Sequence, residues 1–175
     1  AQTRFKNCIT TDASNNVYVG FRDIGLGKFI PSTSTWVMFD TINSGIPANK
    51  ILAVAIDNLG NAWAGTNKGL TKYDGSSWAT FSIANYQLLN DTFTCMKFVS
   101  SGLWIGTNGG LSFFDGTNWT SYNISNSNIV NNYVTCLETD SAGQILIGTS
   151  NGLSVFNGTA WTNFTTSNSG LISNA

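Results

Sequence analysis

Three cysteines are the first residues of this chain that could do chemistry. Cys8, Cys95 and Cys136 could form a disulfide, hold a metal ion or act as a nucleophile. The chain has no histidine, so Cys/His zinc sites and Cys–His nucleophilic pairs are impossible. All three occupy one position of an internal repeat, where another copy has Ala53, and a position that accepts Cys or Ala is typical of a tight core site. Equivalent residues of separate copies should lie farther apart than the ~5.5 Å between the Cα atoms of a disulfide, so we predict buried free thiols and no metal site.

The acidic residues form the second candidate group, because paired carboxylates carry general acid–base chemistry. The chain has nine acids, and five of them share two predicted turn positions of the repeat, where Asp is a common turn former. These five are Asp12, Asp57, Asp140, Asp74 and Asp115. No pair of carboxylates can be placed at a catalytic separation from the sequence, so no catalytic residue is predicted.

Two charged residues on predicted inner strands are candidates for ligand contact. Lys97 and Glu138 occupy equivalent positions in two copies of the repeat and could face a central channel. A plain ion pair between them, or a solvated channel mouth, is the alternative interpretation.

Two segments that depart from the repeat supply the other candidates. An insertion in the first copy carries Arg22 and Asp23, and a linker before the third copy carries Tyr86, Leu88 and Leu89. Exposed apolar patches often mark contacts, so the linker could bind a partner, and packing under a neighbouring unit is the alternative. The predicted ligand-binding residues are Lys97, Glu138, Arg22, Asp23 and Tyr86.

An internal repeat must position all of these residues. One phrase, from Gly-Thr to Gly-Leu, occurs at Gly65–Leu70, Gly106–Leu111 and Gly148–Leu153, at spacings of 41 and 42 residues. A first, degenerate copy has Gly20 followed by Trp36 at a distance of 16 residues instead of 13, with three extra residues around 22–28 or 31–35. A fixed period of this size indicates a repeat architecture. We interpret the first glycine of the phrase as a residue that ends a strand and supplies turn geometry, at Gly65, Gly106 and Gly148. We interpret the Trp that follows it as part of the core between units, at Trp36, Trp78, Trp119 and Trp161.

Each copy contains four short apolar stretches separated by turn residues. In the second copy these are residues 51–56, 62–66, 70–73 and 78–81, with Asp-Gly or Asn-Lys-Gly turns between the later ones. Four strands in ~42 residues, with no helical pattern, predict an all-β protein of stacked four-stranded antiparallel blades, which is a β-propeller. The predicted single domain spans 1–175, with blades at about 3–40, 50–82, 92–123 and 133–165. A solenoid of β-hairpins is the alternative.

Composition excludes several classes of function. The 175 residues carry a net charge of −1 and no cluster of Lys and Arg, so a nucleic-acid partner is not expected. No apolar run reaches the ~20 residues that a membrane helix needs. The polar surface is rich in Asn, Thr and Ser, a style common in secreted proteins. No cofactor is predicted.

The repeat resembles the two-component regulator propeller repeat. The segments Leu103–Thr107 and Leu111–Gly116 match its central motif, and Asn43–Asn49 and Asn168–Asn174 match its linker. The resemblance implies the periplasmic sensor region of hybrid histidine kinases of Bacteroidetes-type bacteria, or a large secreted or surface protein. Family propellers usually hold about seven blades, whereas this chain has four repeats, so a closed four-bladed ring, part of a larger ring and half of a dimeric eight-bladed ring all stay open.

The function predicted from these observations is a non-catalytic binding module located in the periplasm or outside the cell. Its partner would be an unknown small molecule or glycan, or a protein, and self-association is a further option. One alternative is a structural repeat of a secreted or filamentous surface protein that assembles with further copies. The other is a propeller lyase or glycosidase, which the lack of histidine and of a carboxylate cluster disfavours.

Overall fold

The computed structural model describes residues 6–81, 88–90 and 92–174, and within them the chain forms four sheets of four antiparallel strands and no helix. Blade one contains β1 (Lys6–Thr11), β2 (Val17–Phe21), β3 (Leu26–Ile30) and β4 (Thr35–Phe39). Blade two contains β5 (Ile51–Ile56), β6 (Ala62–Thr66), β7 (Gly69–Tyr73) and β8 (Trp78–Phe81). Blade three contains β9 (Phe93–Val99), β10 (Gly102–Thr107), β11 (Gly110–Phe114) and β12 (Trp119–Tyr122). Blade four contains β13 (Val134–Thr139), β14 (Ile145–Thr149), β15 (Gly152–Phe156) and β16 (Trp161–Phe164).

Every blade is a meander, in which strands that follow one another along the chain lie side by side in the sheet. The inner strands β1, β5, β9 and β13 pack against one another in that order. Three hydrophobic clusters fill the spaces between successive blades. The predicted all-β stack of four blades is confirmed, and the way in which the ring is completed stays a prediction.

The Gly-Thr…Gly-Leu phrase closes the hairpin between the second and third strands. In blade three the Thr107 hydroxyl donates to the Gly110 carbonyl at 2.9 Å and accepts from the Gly109 N–H at 3.1 Å. Gly110 has a φ of 140°, which a residue with a Cβ rarely adopts. Leu111 follows and is fully buried. The same hydroxyl bonds recur at Thr66 and Thr149.

The first glycine of the phrase has a different role from the one predicted. Gly65, Gly106 and Gly148 lie within strands and have no left-handed φ, so turn geometry does not explain them. A Cβ on Gly106 would meet Cys95 Sγ at 2.5 Å and Val134 Cγ1, from the next blade, at 2.6 Å. Close packing of one blade on the next therefore requires glycine at Gly106 and, against Phe93, at Gly65, whereas a Cβ on Gly148 would meet Cys136 of its own blade.

The recurring tryptophans pack within and between blades, with one exception. Trp78, Trp119 and Trp161 each stack on an aromatic residue of their own blade at 4.6 Å between ring centroids. Each also contacts an aromatic ring of the fourth strand of the preceding blade. Trp36 packs on Phe29 of its own blade at 5.2 Å and is 52% exposed, because no described blade precedes blade one; its assignment to the core between blades stays a prediction.

The extra residues of the first copy are divided between two turns. Gly20 pairs with Leu26, one residue farther along than in the pair Gly65 and Leu70. Trp36 pairs with Phe29, a span two residues longer than in the other blades. The β2–β3 hairpin therefore holds one extra residue and the β3–β4 turn holds two.

Candidate functional site

All four inner strands contribute to one groove of about 350 Å³, which we call the inner-strand groove. Most of its lining is uncharged, including Thr10 of β1 and Ala55 of β5. Lys97 of β9 and Glu138 of β13 supply its charges, and their side chains form an ion pair across the boundary between blades three and four. The structure thus brings together two of the five predicted ligand-binding residues.

This ion pair is open to solvent. The Lys97 and Glu138 side chains are 34% and 63% exposed. The Lys97 ammonium is the main cause that holds the pKa of Glu138 below its usual value of 4.5. The second cause is the Thr139 N–H, which donates to Glu138 Oε1 at 3.0 Å. Exposed pairs of this kind contribute roughly 0–1 kcal/mol to stability. The pair therefore places two opposite charges in the groove at little cost if a ligand separates them.

The other predicted ligand-binding residues do not join the groove. Arg22 and Asp23 are exposed in the turn between β2 and β3, and neither lines the inner-strand groove. Tyr86 lies outside the described residues. Leu88, from the same linker, is only 4% exposed and belongs to the core between blades two and three. Of the two interpretations of the linker, packing under the neighbouring blade is the one that Leu88 fits.

The five turn aspartates are confirmed as turn formers. Each accepts two or more backbone N–H groups of its own turn, and hydrogen bonds from the turn lower the pKa of every one, although burial opposes this most strongly at Asp12 and Asp57. Asp57 accepts four hydrogen bonds. Its carboxylate accepts from the N–H groups of Leu59 and Asn61, from the Asn61 side chain, and from Trp63 Nε1 at 3.0 Å.

The three cysteines are free thiols with unequal exposure. Burial raises the pKa of Cys8 and of Cys95 to about 11 in each case, which suits packing and not nucleophilic chemistry. Cys136 is exposed, because it lies on blade four and no described blade follows it, so its predicted burial stays a prediction. Within the described ranges, no group of three or more His, Cys, Asp or Glu side chains could hold a metal ion.

A second cavity, of about 460 Å³, lies between blades two and three and was not predicted from the sequence. We call it the Lys72 cleft. Blade two lines it with Asp57, Leu59, Trp63, Lys72 and Phe81, and blade three with Phe98, Ser100, Ser101, Gly102, Phe114, Asp115 and Gly116. The Lys72 ammonium lies 5.4 Å from the centre of the Trp63 ring.

One signal in the sequence could have revealed this cleft. Lys28 of blade one occupies the position of Lys72 and lies 5.3 Å from the centre of the Tyr18 ring, in a smaller cleft against blade two. Trp63 and Lys72 are direct cross-strand partners, as are Tyr18 and Lys28. A lysine opposite an aromatic residue in two successive copies is therefore a recurring arrangement.

Comparison with known proteins places these observations in a family context. Residues 128–151 match the family model of the two component regulator propeller, which confirms the resemblance drawn from the sequence. None of the curated proteins is significantly similar to the chain. No helix among the described residues is long and apolar enough to cross a membrane.

Three solved structures with the same fold come from proteins with different functions. The extracellular domain of a protein assigned to a hybrid two component system of B. thetaiotaomicron is 19% identical, with a TM-score of 0.84, over 94% of this chain and 23% of that chain. A catalytically inactive virginiamycin B lyase from Staphylococcus aureus is 11% identical, with a TM-score of 0.74, over 94% of this chain and 56% of that one. PorZ, a surface component of the type-IX secretion system of Porphyromonas gingivalis, is 17% identical, with a TM-score of 0.56, over 87% and 32%.

These likenesses establish the fold. The chain spans less than two thirds of each of the three structures, and 23% of the extracellular domain of the two component system. Because a domain of a two component system, a lyase and a secretion component share the architecture, an argument about function has to rest on the residues of this chain.

Proposed function

We propose that this chain, which carries a two component regulator propeller repeat at residues 128–151, is a non-catalytic binding module that works in the periplasm or outside the cell. Its ligand would be a polar small molecule or a glycan taken up at the inner-strand groove, as in a sensor domain. The single observation behind this proposal is that all four blades converge on that groove, where Lys97 and Glu138 place two solvent-accessible charges.

The chemistry of the groove suits a neutral polar ligand. Lys97 supplies hydrogen-bond donors, and the Glu138 carboxylate supplies acceptors. Thr10, in the equivalent position on β1, adds a hydroxyl group that can do both. A hydroxyl-rich ligand can replace the weak ion pair with hydrogen bonds to each partner.

The absence of catalysis in this proposal rests on the state of the carboxylates. The turn aspartates use their oxygens to accept backbone N–H groups, so they are committed to structure. Glu138 is held as an anion by Lys97, which is the wrong state for a general acid.

The location outside the cytoplasm is supported by the family match and by the likeness to an extracellular domain. The surface style of Asn, Thr and Ser is consistent with it.

A panel of neutral and uronic-acid oligosaccharides, screened by thermal shift and followed by calorimetry, tests the proposal. Any oligosaccharide that binds should bind at least ~10-fold more weakly to Lys97→Met and to Glu138→Gln, because charge-assisted hydrogen bonds are lost. Lys68→Met, at an exposed lysine of the β6–β7 hairpin, serves as the control and should bind normally. An oligosaccharide whose affinity is unchanged by both Lys97→Met and Glu138→Gln would contradict the proposal.

A further inference from the structure

We propose that the Lys72 cleft is a second binding site, for a small organic anion with an aromatic or aliphatic body, separate from the inner-strand groove. The two cavities share only Phe98 among their lining residues. Their volumes, about 460 and 350 Å³, lie within the ~300–1,000 Å³ range of small-molecule sites.

The acids of the cleft have little capacity left for a ligand. Asp57 accepts four hydrogen bonds from its own blade, which fill its acceptor sites. Asp115 accepts the N–H groups of Thr117 and Asn118 and the side-chain amide of Asn118. Both carboxylates are therefore part of the turns that shape the cleft.

The unused polar groups of the cleft are donors. Within the described part of the chain, the Lys72 ammonium forms no salt bridge and no hydrogen bond, although its charge acts on the Asp74 carboxylate. The exposed hydroxyl groups of Ser100 and Ser101 have no hydrogen-bond partner in the described protein. The ring of Trp63 holds the ammonium in place through a cation–π contact. An ammonium and two hydroxyl groups on opposite walls of one cleft fit an anionic acceptor such as a carboxylate.

The remaining lining determines the body of the ligand. Phe81, Phe98 and Phe114 are half-buried, so each keeps part of its ring accessible. Phe81 and Phe114 contact each other at 6.0 Å and both contact Trp63, which makes a continuous aromatic wall. Apolar atoms beside the carboxylate would gain from burial against this wall.

The probe we choose is 1-naphthoate, a flat aromatic carboxylate, observed through the indole N–H signals of the tryptophans by NMR. The Trp63 signal, identified with the Trp63→Phe variant, should shift and saturate with a dissociation constant on the order of 1 mM or tighter, as expected for a ligand of this size. The Trp104 signal should stay in place, because Trp104 occupies the equivalent position in blade three, where Phe113 replaces the lysine.

Three comparisons make the test specific. The neutral amide 1-naphthamide should bind at least ~10-fold more weakly, because it lacks the charge that Lys72 recognises. Lys72→Met should weaken 1-naphthoate roughly 10-fold, whereas Lys72→Arg should retain binding within about threefold. Lys68→Met, on the same hairpin, should have no effect, and Lys97→Met should also have none, which separates this site from the proposed function of the groove.

Several results would overturn the proposal. These are equal binding of the amide and the carboxylate, normal binding by Lys72→Met, or a Trp63 signal that does not move at roughly 10 mM 1-naphthoate, well above the expected dissociation constant. An unchanged NMR spectrum of Lys72→Met without ligand shows that the variant is folded.

Discussion

Blades two and three place different residues around the same buried tryptophan. In blade two, Trp63 donates its Nε1–H to Asp57, and Lys72 lies over its ring. In blade three the equivalent residues are Val99, Trp104 and Phe113, and the Trp104 and Phe113 rings lie 4.4 Å apart. Trp104 Nε1 is buried and has no hydrogen-bond partner among the described residues.

The residues around the second-strand tryptophan form a cleft in blade two and packed rings in blade three. The polar set in blade two satisfies the indole N–H and leaves an open cleft against blade three. The apolar set in blade three adds ring packing and leaves a buried donor unpaired, which costs about 1–3 kcal/mol. Repeat units of this chain therefore differ in whether this position contributes packing or a cavity.

Replacing Asp57 by the residue of blade three should have the largest effect. In Asp57→Val, the side-chain amide of Asn61 and Nε1 of Trp63 both lose their acceptor, and both residues are more than nine-tenths buried. Two orphaned buried donors should lower the free energy of unfolding by about 2–5 kcal/mol in urea denaturation. Asp140→Val is the matched control, since its turn in blade four is more exposed, and it should cost less. Equal losses in the two variants would contradict the interpretation.

The pair Trp63→Phe and Trp104→Phe isolates the hydrogen bond from the packing. Both substitutions remove similar volume from a residue that is 3% or 5% exposed. Only the first breaks a hydrogen bond, while the second removes an unpaired donor. Trp63→Phe should therefore cost about 1–2 kcal/mol more than Trp104→Phe, measured by urea denaturation. The reverse order would show that Trp104 Nε1 has a partner in solution.

The smallest expected effect is a dependence of stability on pH. It arises from Asp57 in blade two and is absent at the equivalent Val99 of blade three. Burial raises the pKa of Asp57, but hydrogen bonds from Trp63, Asn61 and Leu59 outweigh it and hold the value below 3.8. The resulting stability is complete above pH 3.8 and is lost as the pH falls through the lower native pKa. Wild type should therefore lose more stability than Asp57→Asn when urea midpoints are compared between about pH 7 and pH 3. Parallel losses would show that Asp57 does not titrate as described.

Much of the fold could be predicted because the strands and turns of the repeat depend on patterns of residues that are close along the chain. The stretch 51–56 forms β5, and the phrase at Gly106–Leu111 joins the end of β10 to the start of β11, where the period placed them. The turn role of Asp57 was also predictable, since an Asp side chain can accept backbone N–H groups of its own turn. The role of Gly106 was not, because it depends on Val134 of the next blade.

The candidate sites could be predicted only in part. Lys97 and Glu138 were recognised because they share an inner-strand position, and the structure pairs them. The Lys72 cleft was missed because no single copy of the repeat contains it. Its walls come from blades two and three, and a turn residue such as Ser101 becomes part of a site only because it lies in the same cleft as Lys72.

The sequence by itself determined the four-stranded repeat, its turns and its family resemblance, because these depend on residues that are close along the chain. The tertiary structure decided which side chains meet between blades. It buried Leu88, left Trp104 Nε1 without a hydrogen-bond partner among the described residues and opened the Lys72 cleft. The physical reason is that burial and the pairing of polar groups depend on the facing blade, whose contribution is ~40 residues away in the sequence.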